Sequence, residues 1–284
     1  MQLSQLRVLL AVAESGGFTA AAERTGMSQP HVSRSIAALE TELGAPLLVR
    51  RRDGVTLTEA GHRAVSRARE TVRHFDLIRP DVAGAGGQVT GPLRLASLPS
   101  TTGTLIAERL RTFSDRYPLV NVRLLEGYSP EIRRWLENGA AEIGVVILPE
   151  PGMHTVQLGT DAMVALLPRG HALAAAETVA VRELARDPFI LTTGGCRPVI
   201  LEGVRQAGAA LDIAYEAGEL SAIIAMVEAG LGVSIVPTLG LPADLGEVVT
   251  RPLDAAIRRN LALALPSLDR CTPAARAFLD HVLV

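Results

Sequence analysis

Gln29, His31, Ser33 and Arg34 fall within one six-residue stretch, QPHVSR, and offer amide, imidazole, hydroxyl and guanidinium groups. Presented on one helix face, such groups hydrogen-bond to base edges, Arg pairing with guanine and Gln with adenine. Ser28 and Pro30 belong to the same stretch, where a helix end with outward N–H groups favours a phosphate. Arg50, Arg51 and Arg52 follow as three consecutive guanidiniums, the chemistry of phosphate neutralisation. A second set of candidates is small and mostly uncharged: Ser97, Ser100, Thr101, Thr102, Tyr128, Ser129, Thr192, Thr193, Gly194 and Cys196, with Val236 and Pro237 ending a later apolar run. Their hydroxyls and the N–H groups of helix starts suit a carboxylate or another small anion, although each Ser or Thr would serve equally as an ordinary helix cap. Catalytic signatures are missing. There is no phosphate loop, no Cys or His cluster at metal spacing and no Gly-x-Ser-x-Gly elbow, and His31, His62, His74, His154, His171 and His281 are scattered. The expectation is a non-enzyme with no metal and no cofactor.

A pair of helices would place the first set. Phe18, Ala21 and Ala22 recur at helical spacing, and Gly26 is the residue type that stops a helix in the left-handed conformation. Ser28 is expected to cap the next helix by accepting a backbone N–H, with Pro30 in the first turn, where a missing N–H costs nothing. Val32, Ile36, Leu39 and Leu43 mark the buried face of that helix and Gly44 its stop. Gln29, His31, Ser33, Arg34 and Ser35 are left on the other face. After Pro46, LLVRRRDGVTLT predicts a β-hairpin turning at Asp53-Gly54, a dipeptide suited to a type I′ turn, with Arg50 to Arg52 along one arm. Helix, turn, helix and basic hairpin make a winged helix-turn-helix, whose second helix enters a DNA major groove.

The opening MQLSQLRVLLAVAESGGFTAAAE, the block MSQPHVSRSIAALETELGAPLLVRR and the closing LTEAGH resemble the LysR-type transcriptional regulators. The likeness is specific over roughly the first 65 residues and extends over the rest by layout alone. Gly17 stands where the family usually has a capping Ser, Leu48 where a Phe is common and Thr25 where an apolar residue is usual. None of the three touches the polar face of the second helix.

Net charge of −2 argues against a nucleic-acid partner only until it is divided along the chain. Residues 1–79 hold 11 Arg and 8 acids, for +3, whereas residues 80–284 hold 17 Arg and 22 acids, for −5. All 28 basic side chains are Arg, which reads as genomic composition bias. A charge of +3 makes few phosphate contacts, so two copies would bind more tightly than one. Residues 59–79 offer a means: Gly61, Val65, Ala68, Val72 and Phe75 recur at spacings of four and three, the seam of a short coiled coil. A helix packed on its own domain would show the same spacing, and the family resemblance favours a linker helix that pairs two copies. Pro80 is expected to end that helix, and the Gly-rich stretch to residue 90 to form a hinge.

From Gly91 onward strands and helices alternate as in an open α/β sheet. LRLASL, VNVRLLEG and EIGVVIL with their helices form one unit; FILTT, LDIAYEA and GVSIVP with theirs form a second. AMVALLPRGHAL carries the chain across and NLALALP brings it back. Two such lobes suggest a periplasmic-binding-protein-like effector domain, as in the family. The expected division is 1–58 winged helix-turn-helix, 59–79 linker helix, 80–90 hinge and 91–284 effector domain, with lobe one at about 91–162 and 266–284 and lobe two at about 163–265. Ligands bind beyond the carboxyl ends of strands in such sheets, which selects the second set of candidates. Cys196, at a helix start beside Arg197, would have a stabilised thiolate, as redox-sensing thiols do. The peroxide-sensing branch of the family pairs a cysteine near this point with a second one, but Arg205 stands there and Cys271 is distant.

No apolar run reaches membrane-spanning length and the start lacks a signal-peptide pattern, so a cytoplasmic protein without membrane contact is expected. Its partners would be double-stranded promoter DNA, a small effector such as a carboxylate, a second copy or three more in a homodimer or homotetramer, and RNA polymerase. Other readings are a solute-binding module whose DNA domain is a passive tether, a thiol-based redox regulator acting through Cys196 and, least supported, an enzyme working in the cleft.

Overall fold

A computed structural model describes residues 1–51, 54–84 and 88–283, with residues 50, 51, 80, 81, 83, 84 and 270 described by their backbone alone. It divides into two compact units, Met1–Gln88 and Val89–Val284, each taken by itself here.

The first unit contains α1 (Leu3–Ser15), α2 (Phe18–Thr25), α3 (Gln29–Leu43), β1 (Leu48–Arg51), β2 (Gly54–Leu57) and α4 (Glu59–Gly84). Leu9 and Val12 of α1, Ala21 of α2, and Val32, Ile36 and Leu39 of α3 form its core. Gly26 and Gly44 end α2 and α3 at φ 67° and 68°. Ser28 is the backbone cap of α3, but its side chain makes no capping bond. Pro30 explains why: it occupies the second helical position and removes one of the two N–H groups that a cap accepts from. Leu43 is 45% exposed rather than buried, because it lies at the last turn, beyond the core that Leu39 closes. The hairpin pairs Arg51 with Gly54, so its two turn residues are 52 and 53 rather than Asp53-Gly54. Both turn residues lie outside the described residues, as does the expected role of Arg52.

Thr58 caps α4, its Oγ1 accepting from Gly61 N at 2.9 Å and donating to Pro46 O at 2.7 Å. The coiled-coil seam expected along α4 is corrected. Val65 and Ala68 are buried in the unit's own core and Val72 packs against it, while Gly61 lies against the Leu47 carbonyl. Phe75 alone of the series is exposed, at 53%, and Ile78 and Val82 continue its stripe at 56% and 71%. The helix also runs through Pro80 to Gly84. A proline removes one rung of the hydrogen-bond ladder and crowds another; this helix has 26 residues, most of its rungs precede Pro80, and helical geometry resumes beyond it.

The second unit starts with β3 (Gly91–Ser97), the short α5 (Pro99–Thr101), a π-helical turn (Thr102–Ile106) and α6 (Ala107–Arg116). β4 (Val120–Glu126), α7 (Ser129–Glu137), β5 (Ile143–Ile147) and β6 (His154–Pro168) follow. Then come α8 (Val181–Leu184), β7 (Pro188–Thr192), α9 (Arg197–Gln206), β8 (Asp212–Ala217), α10 (Leu220–Glu228), β9 (Ser234–Pro237), β10 (Val248–Pro252), β11 (Arg258–Leu265) and α11 (Pro273–Val282). In lobe one β3 is parallel to β4 and β5, and β11 runs antiparallel to β5 and to the first half of β6. In lobe two the second half of β6 pairs antiparallel with β9 and β10. A parallel bridge, Phe189 to Val233, joins β9 to β7, and β7 is parallel to β8.

The 15-residue β6 therefore belongs to both sheets. It begins at His154, earlier than the crossing segment read from sequence, and β11 lies in lobe one's sheet although it was assigned to lobe two. Leu261 and Leu263 of β11 join Phe113, Ile132 and Phe278 in lobe one's core, which draws that strand to that side. Phe189, Leu191, Ile200 and Ile235 fill lobe two. No helix among the described residues is long and apolar enough to cross a membrane.

A Cβ at Gly61 would stand 2.0 Å from the Leu47 carbonyl oxygen, a backbone atom that cannot swing away. Gly61→Ala should destabilise the first unit by about 1–3 kcal/mol, the usual range for overpacking. Gly103→Ala, with no atom within 4 Å of its Cβ, should change stability little. Urea unfolding of both variants checks the contrast.

Candidate functional site

The first unit presents α3 as an amphipathic rod. Val32, Ile36 and Leu39 hold it to the core, and Ser28, Gln29, Pro30, His31 and Arg34 are exposed on the opposite side, with Ser33 half-buried. Arg34 Nε donates to the Pro30 carbonyl at 3.4 Å, laying the guanidinium along the start of the helix. With no side chain capping the first turn, its N–H groups face outward. The strand bearing Arg50 and Arg51 is paired as expected.

In the second unit the candidates converge where β3 and β7 end. A cavity of ≈ 180 Å³ is lined by Ser100, Tyr128, Thr192, Gly194, Cys196, Val236 and Pro237. It opens between the lobes. Ser97 and Thr101 lie outside it: both are fully buried, 3.0 Å apart through their hydroxyls, and with Thr102 they close the local turn around Leu98. These three are structural caps, because the short α5 and the π turn aim only Ser100 at the cleft. Thr192 Oγ1 accepts from Gly194 N at 3.0 Å and so also caps its turn. Ser129 and Thr193 line an adjoining groove of ≈ 940 Å³. There the lobes approach closely: a Cβ on Gly195 would be 2.4 Å from Ser129 Oγ.

The residue that organises the cavity was not among the candidates. Arg259, on β11, is 2% exposed and pairs with the fully buried Asp161 side chain on β6, its Nε and Nη2 at 2.7 and 2.6 Å from Oδ2. Asp161 Oδ1 accepts from Thr238 Oγ1 at 2.5 Å and Leu239 N at 3.2 Å. Arg259 Nη1 donates to Ser100 Oγ at 3.0 Å and to Cys196 Sγ at 3.4 Å. One guanidinium thus touches a hydroxyl of lobe one and a thiol of lobe two. At the same cleft Tyr128 Oη donates to Glu219 Oε1 at 2.7 Å and to Gly218 O at 3.2 Å. Burial and the neighbouring Glu219 carboxylate push Tyr128 up to about 12. A signal for Arg259 existed, an Arg pair at the head of the apolar run NLALAL, and another for Asp161, an acid inside LGTDAMVALL.

Cys196 departs from the expectation of a stabilised thiolate. Burial pushes its thiol up from the ordinary value, and the opposing pull comes from Arg259. Arg197 instead pairs with Glu216 at 2.7 Å. Cys271 packs in lobe one's cluster, whereas Cys196 belongs to lobe two's.

Residues 3–62 match the model described as bacterial regulatory helix-turn-helix protein, lysR family, and residues 86–283 match the LysR substrate binding domain. The chain belongs to the LysR family of bacterial transcriptional regulators. It is 31% identical to the uncharacterized HTH-type transcriptional regulator YvbU of Bacillus subtilis over 99% of this chain and 97% of that one. A probable hydrogen peroxide-inducible genes activator of Streptomyces viridosporus is 32% identical over 93% of this chain and 87% of its own. Among solved structures, full-length CbnR complexed with target DNA is similar at 25% identity and a TM-score of 0.72, covering 100% of this chain and 99% of CbnR. This LysR-type chain is accordingly a DNA-binding transcriptional regulator whose second unit is an effector-binding domain.

Asp161→Asn leaves the buried Arg259 charge without its counter-charge. The expected cost is about 3–5 kcal/mol, and the double variant Asp161→Asn with Arg259→Met should recover part of it. Chemical denaturation of the three proteins measures this coupling.

Proposed function

We propose that the protein binds promoter DNA as a homodimer or homotetramer and changes its hold on that DNA when a small anion occupies the inter-lobe cleft. The observation that carries the first half is α3, anchored by Val32, Ile36 and Leu39 with Gln29, His31, Ser33 and Arg34 turned away from the core. Those four read bases, and Arg50, Arg51 and Arg52 hold phosphates at the wing. The exposed stripe of Phe75, Ile78 and Val82 supports self-association. Ligand binding across two lobes with separate cores shifts their closure, and promoter occupancy and recruitment of RNA polymerase follow. The protein works in the cytoplasm, where its DNA is, and is not an enzyme.

Fluorescence anisotropy with the chain's own upstream DNA, across a salt series and beside an unrelated duplex, tests this reading. Arg34→Ala should weaken specific binding by roughly tenfold or more, the worth of one good base contact. Equal, weak binding to both duplexes, unchanged in the variant, would leave a solute sensor with a passive tether.

A second reading, thiol-based regulation, is favoured by the Cys196 Sγ contact with Arg259 and by the name of the Streptomyces relative. The raised thiol weighs against it, since the thiolate is the reactive form. A group whose pKa rises on folding stays protonated below its unfolded value, so iodoacetamide should label Cys196 slowly at neutral pH and faster only as pH climbs above about 9. Rapid peroxide oxidation near pH 7, with DNA binding that no longer responds in Cys196→Ser, would instead establish redox control.

A further inference from the structure

We infer that the cleft selects a short-chain monocarboxylate, held by Arg259 and screened against a second negative charge by Glu219. The inference rests on the ligand-responsive reading above and adds the ligand class. Arg259 is 2% exposed and lines the cavity, yet its Nη2, although 2.6 Å from Asp161 Oδ2, is buried with no hydrogen-bond acceptor. Buried guanidinium donors without acceptors are rare, and an oxyanion with two planar oxygens is the group they accept best. The Ser100 hydroxyl, already joined to Arg259 Nη1 at 3.0 Å, adds a further polar contact beside it.

The remaining walls set the rest of the ligand. Leu98, Ile147, Ile223, Ile235, Val236 and Pro237 are apolar and favour an alkyl body. At ≈ 180 Å³ the cavity is smaller than drug-sized sites of about 300–1,000 Å³, so the body is only a few carbons long. Glu219 lines the same cavity, and the Tyr128 hydroxyl donates to it. Glu126 and Glu131 add negative potential around Tyr128. The far carboxylate of a diacid would meet this acidic end in a confined, poorly hydrated space, where like charges repel strongly.

Full-length protein titrated calorimetrically with butyrate, butyramide and succinate decides the matter. Butyrate should bind at least about tenfold more tightly than either of the others. Glu219→Gln keeps an acceptor for Tyr128 at an exposed position and should bring succinate to within about threefold of butyrate. Because Arg259 variants disturb a buried ion pair, the butyrate–butyramide contrast on the unaltered protein carries the test of the anchor. Equal affinities for those two would remove the anchor while leaving a ligand-binding cleft intact. Equal affinities for succinate and butyrate in the unaltered protein would remove the Glu219 screen. No heat with any of the three up to about 50 mM would overturn the ligand class. Anisotropy with upstream DNA on the same samples shows separately whether the regulator reading stands.

Discussion

A guanidinium that meets a carboxylate, a hydroxyl and a thiol at once, all out of water, is the constraint around which the second unit is built. Asp161 and Arg259 sit on β6 and β11, a strand shared by both sheets and its antiparallel neighbour. Burying two charges is costly, and the arrangement persists because Thr238 and the Leu239 N–H fill the other Asp161 oxygen. Stability is a weak reason for such a pair, since well-packed apolar side chains of similar volume often do as well. Apolar side chains could not, however, tether Ser100 from one lobe and Cys196 from the other.

The lobes otherwise keep separate cores. Lobe one closes around Phe113 and Phe278, edge-on at 5.2 Å, and lobe two around Phe189 and Ile200. Across the cleft the ties are few and polar: Arg259 to Ser100 and Cys196, and Tyr128 to Glu219 and Gly218. Packed cores resist deformation, whereas a handful of hydrogen bonds exchange partners at small net cost. A ligand that competes for Arg259 therefore acts on the weakest part of the unit, where a small binding energy can move a whole lobe.

Much of this was legible in the sequence, for reasons that differ by element. The limits of α2 and α3 follow from Gly26 and Gly44, local signals that need no tertiary context. The strands β3, β4, β5, β7, β8 and β9 show as short runs rich in branched apolar residues. β6 and β11 were harder, because which lobe owns a fully buried strand depends on pairing partners far away in the chain. Ser97 and Ser100 are three residues apart and chemically alike, yet a tight turn buries one and points the other into the cleft. Arg259 escaped because an arginine in sequence reads as surface, and only the placement of Asp161 opposite it makes burial affordable.

The linker helix shows why periodicity cannot by itself name a partner. Spacings of three and four place Val65, Ala68, Val72 and Phe75 on one stripe, and a stripe is blind to what covers it. In the fold the covering changes along the helix: the unit's own core takes Val65 and Ala68, then leaves off. Beyond it Phe75, Ile78 and Val82 stand in solvent on a helix that continues to Gly84. Exposed apolar side chains gathered on one helix stripe are what self-association buries. Because that stripe begins where the core ends, a second copy seated on it would engage the helix without disturbing the packing that holds α3.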